Sequence, residues 1–180
     1  MPDEQSDVGA ATLRVVTPAP EEAAFRIIRA TRQEEILEIR DLVLEYHAES
    51  RYAHLPFSEK KFIRGFSKAL SSPSDTLAVY VQYKGATIAL LHAGAGDYYL
   101  GEGGRMVTIY AMYVSPRIRK SLLGGRVGTK LLRMAGEWAK QQSAQELHVH
   151  STSGLSPGRT DKLMIAMGFV AYGGNYVATV

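Results

Sequence analysis

Residues 112–139 read MYVSPRIRKSLLGGRVGTKLLRMAGEWA, and the order of their parts decides how the rest of the chain folds. Upstream, residues 106–114 (MVTIYAMYV) are rich in β-favouring side chains and predict a strand. Ser115-Pro116 ends it, because proline has no N–H to give a ladder. A basic, glycine-containing loop follows. From Gly125 the series Val127, Leu131, Leu132, Ala135 and Trp138 predicts a long helix to about Gln141. The first N–H groups of a helix have no intrahelical acceptor, and its dipole is positive there, so such a turn suits a phosphate. Glycine allows close approach to the backbone.

Working outward, residues 25–30 (FRIIRA) predict a first strand, and Thr31 with Glu34 has the spacing of a capping box. Ile36, Ile39, Leu42, Val43 and Tyr46 share a helical face over residues 32–49, and Phe62, Phe66, Ala69 and Leu70 mark a second helix. Residues 76–83 and 86–93, joined by Lys84-Gly85, read as an antiparallel hairpin. Residues 146–151 (ELHVHS) predict another strand, with Leu147 and Val149 opposite His148 and His150. A short helix over 161–167 and a closing hairpin, 169–172 with 175–179, complete the order. The architecture expected is mixed α/β (α+β), a largely antiparallel sheet flanked by helices, with one parallel crossover. Residues 1–24 mix Pro, Ala, Ser and acids without periodicity and read as a mobile tail; residues 25–180 read as one domain.

The chain has 180 residues, 46% of them hydrophobic and 22% charged, which excludes a disordered or collagen-like class. The absence of cysteine excludes disulfides, thiolate metal ligands and a cysteine nucleophile, and no metal site is expected. The start lacks the pattern of a secretory signal and no apolar run is long enough for a span, so the expectation is a cytoplasmic protein without a membrane partner. A net charge of +3 is too mild to imply nucleic-acid binding. Its distribution says more. Residues 103–136 contain no acid, while Arg105, Arg117, Arg119, Lys120, Arg126, Lys130 and Arg133 all fall there. Such a field suits a phosphorylated cofactor or a nucleic-acid backbone; no nucleic-acid motif or stacking pattern accompanies it.

The strand ending in Val114-Ser115-Pro116, followed by Gly124-Gly125-Arg126-Val127-Gly128-Thr129-Lys130-Leu131-Leu132, resembles the acetyl-CoA signature of the GNAT N-acetyltransferases. Met167-Gly168-Phe169 is similar to the family's terminal helix ending in Gly-Phe. The resemblance covers residues 25–180. It implies that the loop binds the pyrophosphate of acetyl-CoA and that the strand pairs with the pantetheine arm. The cofactor residues so implied are Met112, Val114, Lys120, Gly124, Gly125, Arg126, Val127, Gly128 and Thr129. Against the family's loop pattern, the positions are Leu123, Arg126 and Gly128, and only the last conforms. The segment 116–128 is about four residues longer than usual, which adds Arg117, Arg119 and Lys120 around the phosphate site; charge-assisted contacts would supplement the amides.

The activity implied is transfer of an acetyl group to an amine by direct attack on the thioester; the alternative is an inactive CoA-binding or interaction module. The reaction needs a neutral nucleophile, a polarised carbonyl and a proton for the thiolate. Relatives commonly use a backbone N–H on the central strand for the second, which corresponds to residues 111–114. Residues 106–114 carry no carboxylate to act as base, and the position of the family's frequent proton-donating tyrosine is Met164. Tyr110, Tyr113 and His148 are therefore the catalytic candidates, with His92, His150, Glu102, Tyr172 and Tyr176 behind them. Tyr46, His47, Tyr52, His54, Tyr98 and Tyr99 make the acceptor segments aromatic and polar, and Glu49, Asp97 and Glu102 could attract a cationic amine. The acceptor, a small-molecule amine or a protein or peptide amine, stays open. A homodimer through the terminal strands is in keeping with the family.

Overall fold

A computed structural model describes residues 25–150 and 157–173. The expected tail, the second arm of the closing hairpin and Tyr176 lie outside the described residues. Five strands form one sheet in the order β1 (Phe25–Arg29), β2 (Thr76–Tyr83), β3 (Ala86–Asp97), β4 (Arg105–Val114) and β5 (Glu146–Val149). Neighbours are antiparallel except β4 and β5, which are parallel, as a helical crossover between them requires. The expected mixed α/β architecture is the one observed.

The predicted first helix divides into α1 (Gln33–Glu38) and α2 (Arg40–Glu49), with Ile39 at the junction. Its cap moves by one residue. Glu35, not Glu34, accepts from the backbone N–H groups of Thr31 (2.8 Å) and Arg32 (3.1 Å), because the helix begins at Gln33. The second helix divides likewise into α3 (Glu59–Phe66) and α4 (Lys68–Ser71). In the β2–β3 turn Lys84 (φ 50°) and Gly85 (φ 79°) are both left-handed, the primed geometry whose twist matches the strands.

A turn of helix, α5 (Pro116–Arg119), joins β4 to the crossover helix α6 (Leu122–Gln141), and α7 (Pro157–Ala166) follows β5. Gly168 (φ 85°) ends α7: its N–H donates to the Ile165 carbonyl and that of Phe169 to Met164 at 2.9 Å, a Schellman closure. Residues 169–173 form no strand among the described residues. The arm they were expected to pair with is not among the described residues either.

Each face of the sheet carries a core. On one side Val127, Leu131, Leu132, Ala135 and Trp138 of α6 bury against Val79, Leu91, Val107 and Ile109. On the other, Ile36, Ile39, Leu42, Phe62 and Phe66 of α1–α3 bury against Ala78, Tyr80, Leu90 and Tyr113. The glycines of α6 lower its helix propensity by ~1 kcal/mol each relative to alanine, but each large apolar side chain it buries contributes about 1.5–3 kcal/mol, so packing decides.

Candidate active site

The site grows from a fault in β4. His92 of β3 pairs with Ala111 and Ala93 with Ile109, so Tyr110 is an extra residue with no partner opposite it. The bulge shifts the alternation by one. Val107 and Ile109 face α6, and beyond the bulge so do Met112 and Val114, while Ala111 and Tyr113 turn to the α1–α3 side. Simple alternation places Tyr110 and Tyr113 on opposite faces. With the bulge, Tyr110 also lies on the α1–α3 side, where its ring is 5.5 Å from that of His92.

At the same point β4 loses its other neighbour. The parallel ladder with β5 covers only Met106 to Ile109, paired with Glu146 to Val149. Ser115 N–H donates to the Ile88 carbonyl across the β3 side at 2.9 Å. Backbone polar groups alternate direction along a strand, so those of Met112 and Val114 point to the free edge. This edge is a ready ladder for an extended chain with amides of its own.

Arg119 organises the far end of that edge. Its Nε donates to the Val114 carbonyl (2.7 Å), its Nη2 to Glu49 Oε2 (2.5 Å), and its guanidinium lies 4.9 Å from the Tyr113 ring centroid. Tyr113, buried, donates its hydroxyl to the same Glu49 oxygen at 2.5 Å. The Arg119 hydrogen bond, outweighing partial burial, holds the Glu49 carboxyl below the usual range. Burial, then the Glu49 carboxylate, raises the Tyr113 phenol. Ser115 donates to Glu45 (3.2 Å) and caps α5 at the Arg117 N–H (3.4 Å). Sequence reasoning placed Glu49 among acceptor contacts and missed this clamp; α2 lies 70 residues before Arg119 and no local pattern links them.

The phosphate turn differs from expectation. The helix opens at Leu122, not Gly125. Ser121 is the cap, accepting from Gly124 N–H (3.3 Å) and, through its carbonyl, from Gly125 N–H (3.2 Å). The donors left without an intrahelical acceptor are those of Leu122 and Leu123, and the amides of Gly125, Arg126, Val127, Gly128 and Thr129 lie inside the helix. The extra residues of the loop form α5 and this additional turn. A Cβ at Gly124 would collide with the Ile118 carbonyl, whereas Gly125 faces open space. A cleft of about 620 Å³ runs along the outward side of α6, between Phe25 and the cations Lys120, Arg126, Lys130 and Arg133. It flanks the turn and does not enter the β4–β5 opening. Lys120, Arg126 and Arg133 make no ion pair among the described residues, and Lys130 sits 5.0 Å over the Phe25 ring.

His148, on the face opposite Leu147 and Val149, bonds Glu146 at 2.6 Å and meets His150 edge-on at 6.4 Å. His92 is mostly buried, stacked on Phe66 at 4.4 Å. Desolvation, helped by Lys68, lowers its pKa to about 4 and keeps it neutral. Its Nε2 has no partner among the described residues. Met164 and Phe169 pack against the α6 core, and Tyr172 is exposed. Tyr98, Tyr99, Asp97 and Glu102 lie at the other end of β4, so the structure does not bring them to Tyr110. Among the described residues no helix is long and apolar enough to cross a membrane.

No family model and no curated protein matches the chain in sequence. Solved structures match in fold. AAC(6')-Iy, solved with the bisubstrate analogue CoA-S-monomethyl-acetylneamine, aligns over 87% of this chain and 97% of its own at 13% identity and a TM-score of 0.66. Glucosamine-6-phosphate N-acetyltransferase from Arabidopsis thaliana covers 86% and 97% at 15% identity and 0.62. Ribosomal-protein-alanine N-acetyltransferase from Brucella melitensis biovar Abortus 2308 covers 87% and 99% at 16% identity and 0.61. The chain has the fold of these acetyltransferases, the GNAT fold.

Proposed function

We propose that this chain is a divergent GNAT N-acetyltransferase that binds acetyl-CoA and acetylates an amine. One observation carries the reading: β4 parts from β5 after Ile109 and leaves the backbone of Met112 and Val114 on a free edge that leads to a basic helix start. The donors present fit the group. The Met112 and Val114 edge would pair with the pantetheine amides, and Lys120 and Arg126, with the Leu122 and Leu123 N–H groups, would neutralise the phosphates. Acetyl-CoA would supply the activated acetyl thioester; the chain orients it and moves protons.

Arg119 and Glu49 fix the end of β4, and hence the edge, without touching the reacting atoms. Of the catalytic candidates, Tyr110 is the phenol beside the opening and the one we nominate to hand a proton to the leaving thiolate. Tyr113, tied to Glu49, is a positioning residue. His148, oriented by Glu146, is the titratable group nominated as base on that face. A second reading, a CoA-binding module without catalysis, draws on the strand's lack of a carboxylate and on Met164 at the family's usual proton-donor position. Calorimetry with acetyl-CoA tests binding, and a free-thiol release assay over an amine panel separates enzyme from module. Absence of binding by the full chain ends both readings.

A further inference from the structure

The face beside the β4–β5 opening is built as a flat, uncharged floor. Tyr110 is 59% exposed although it lies mid-strand. Its hydroxyl occupies the space above Gly94, where a Cβ would stand 2.5 Å from it, so only glycine there lets the ring lie down on β3. Beneath it come His92, at 5.5 Å, and then Phe66, stacked on His92 at 4.4 Å and 20°. The imidazole is neutral at physiological pH, so the stack carries no charge.

Free carboxylates are missing from its surroundings. Glu137, Glu146 and Asp161 are the only acids in residues 103–180. Glu146 is bonded to His148, and Glu137 is on the exposed side of α6, across the sheet. Glu45 and Glu49 reach over from α2, but Ser115, Tyr113 and Arg119 engage them. Glu102 precedes β4, and five residues of strand, about 17 Å, separate Arg105 from Tyr110. Lys68 adds positive charge near His92. A polycation needs several unpaired carboxylates to replace its hydration, and this face offers none.

We infer that the acceptor is a single amine on a flat, apolar body that stacks on Tyr110, and that polycationic amino sugars are poor ligands of this site. The inference rests on the acetyltransferase reading and specifies its acceptor. Ring-on-ring contact is worth about 0.5–1.5 kcal/mol beyond area burial, so Tyr110 should be a visible determinant.

The test is equilibrium binding by calorimetry on the full chain, with 2-phenylethylamine and neamine as probes. The aromatic amine should bind at least tenfold more tightly. Tyr110→Ala should remove about tenfold of that affinity and Tyr110→Phe almost none, while acetyl-CoA affinity and the melting temperature stay put. Tighter binding of neamine, or equal effects of Tyr110→Ala on both probes, overturns the inference. So does binding of neither. Failure of the parent reading looks different: aromatic amine binding persists, but acetyl-CoA neither binds nor releases free thiol.

Discussion

Arg119 and Arg126 lie one helical turn either side of the Ser121 cap, and their circumstances are opposite. On the α1–α3 side of β4 every charge is absorbed: Arg119 by Glu49 and the Val114 carbonyl, Glu45 by Ser115, and His92 by losing its proton. On the outward side of α6, Lys120, Arg126 and Arg133 are exposed and make no ion pair among the described residues. The two regions share a composition and differ in task. A cation held by three partners fixes backbone; a row of cations without acids raises the local potential for a polyanion.

The steepest test of the contrast is at adjacent glycines. Gly124→Val drives a side chain into the α5 backbone and should cost about 3 kcal/mol, read as a lower denaturation midpoint; overpacking of this kind usually costs about 1–3 kcal/mol plus lost helix propensity. Next comes acid. His92 has a folded pKa of about 4, below its unfolded 6.5, so its contribution is complete above pH 6.5 and is lost as pH falls towards 4. Up to about 3 kcal/mol should disappear across that window in urea titrations, and His92→Leu should flatten the profile. Glu49 contributes in the same sense over a more acidic range, since its folded pKa is also depressed.

Arg119→Ala should cost about 2 kcal/mol, because it leaves Glu49 half-buried without its cation, and Arg119→Lys should restore part of it. An unchanged midpoint for Arg119→Ala would break the comparison on its paired side. Arg126→Glu should weaken acetyl-CoA about tenfold by calorimetry, equal to ~1.4 kcal/mol, while changing stability by under about 0.5 kcal/mol. If it unfolded the protein and spared affinity, the open side would be structural after all. Smallest is Gly125→Ala, which meets open space and should stabilise by about 0.5–1 kcal/mol.

Much of this was readable in the order of residues. Helix and strand periodicity located both cores, the Lys84-Gly85 turn and the crossover that makes β4 and β5 parallel, because hydrophobic spacing and local turn chemistry act over a few residues. The basic, acid-free segment around α6 was equally plain. The start of α6 was misread for a physical reason: the apolar face begins at Val127, but the helix begins at its cap, and Ser121 with the α5 turn packed on Gly124 sets that point. The candidate residues Tyr110 and Tyr113 were named from the strand alone. Their roles depend on one bulged residue, which moves both to the same side of the sheet, and on a glutamate contributed by α2. Sequence determines which segments are strands, helices and charged turns, since those preferences are local. Only the tertiary structure decides which face a side chain takes past a bulge and which distant group neutralises it, because that depends on strand register and on helices packed from far along the chain.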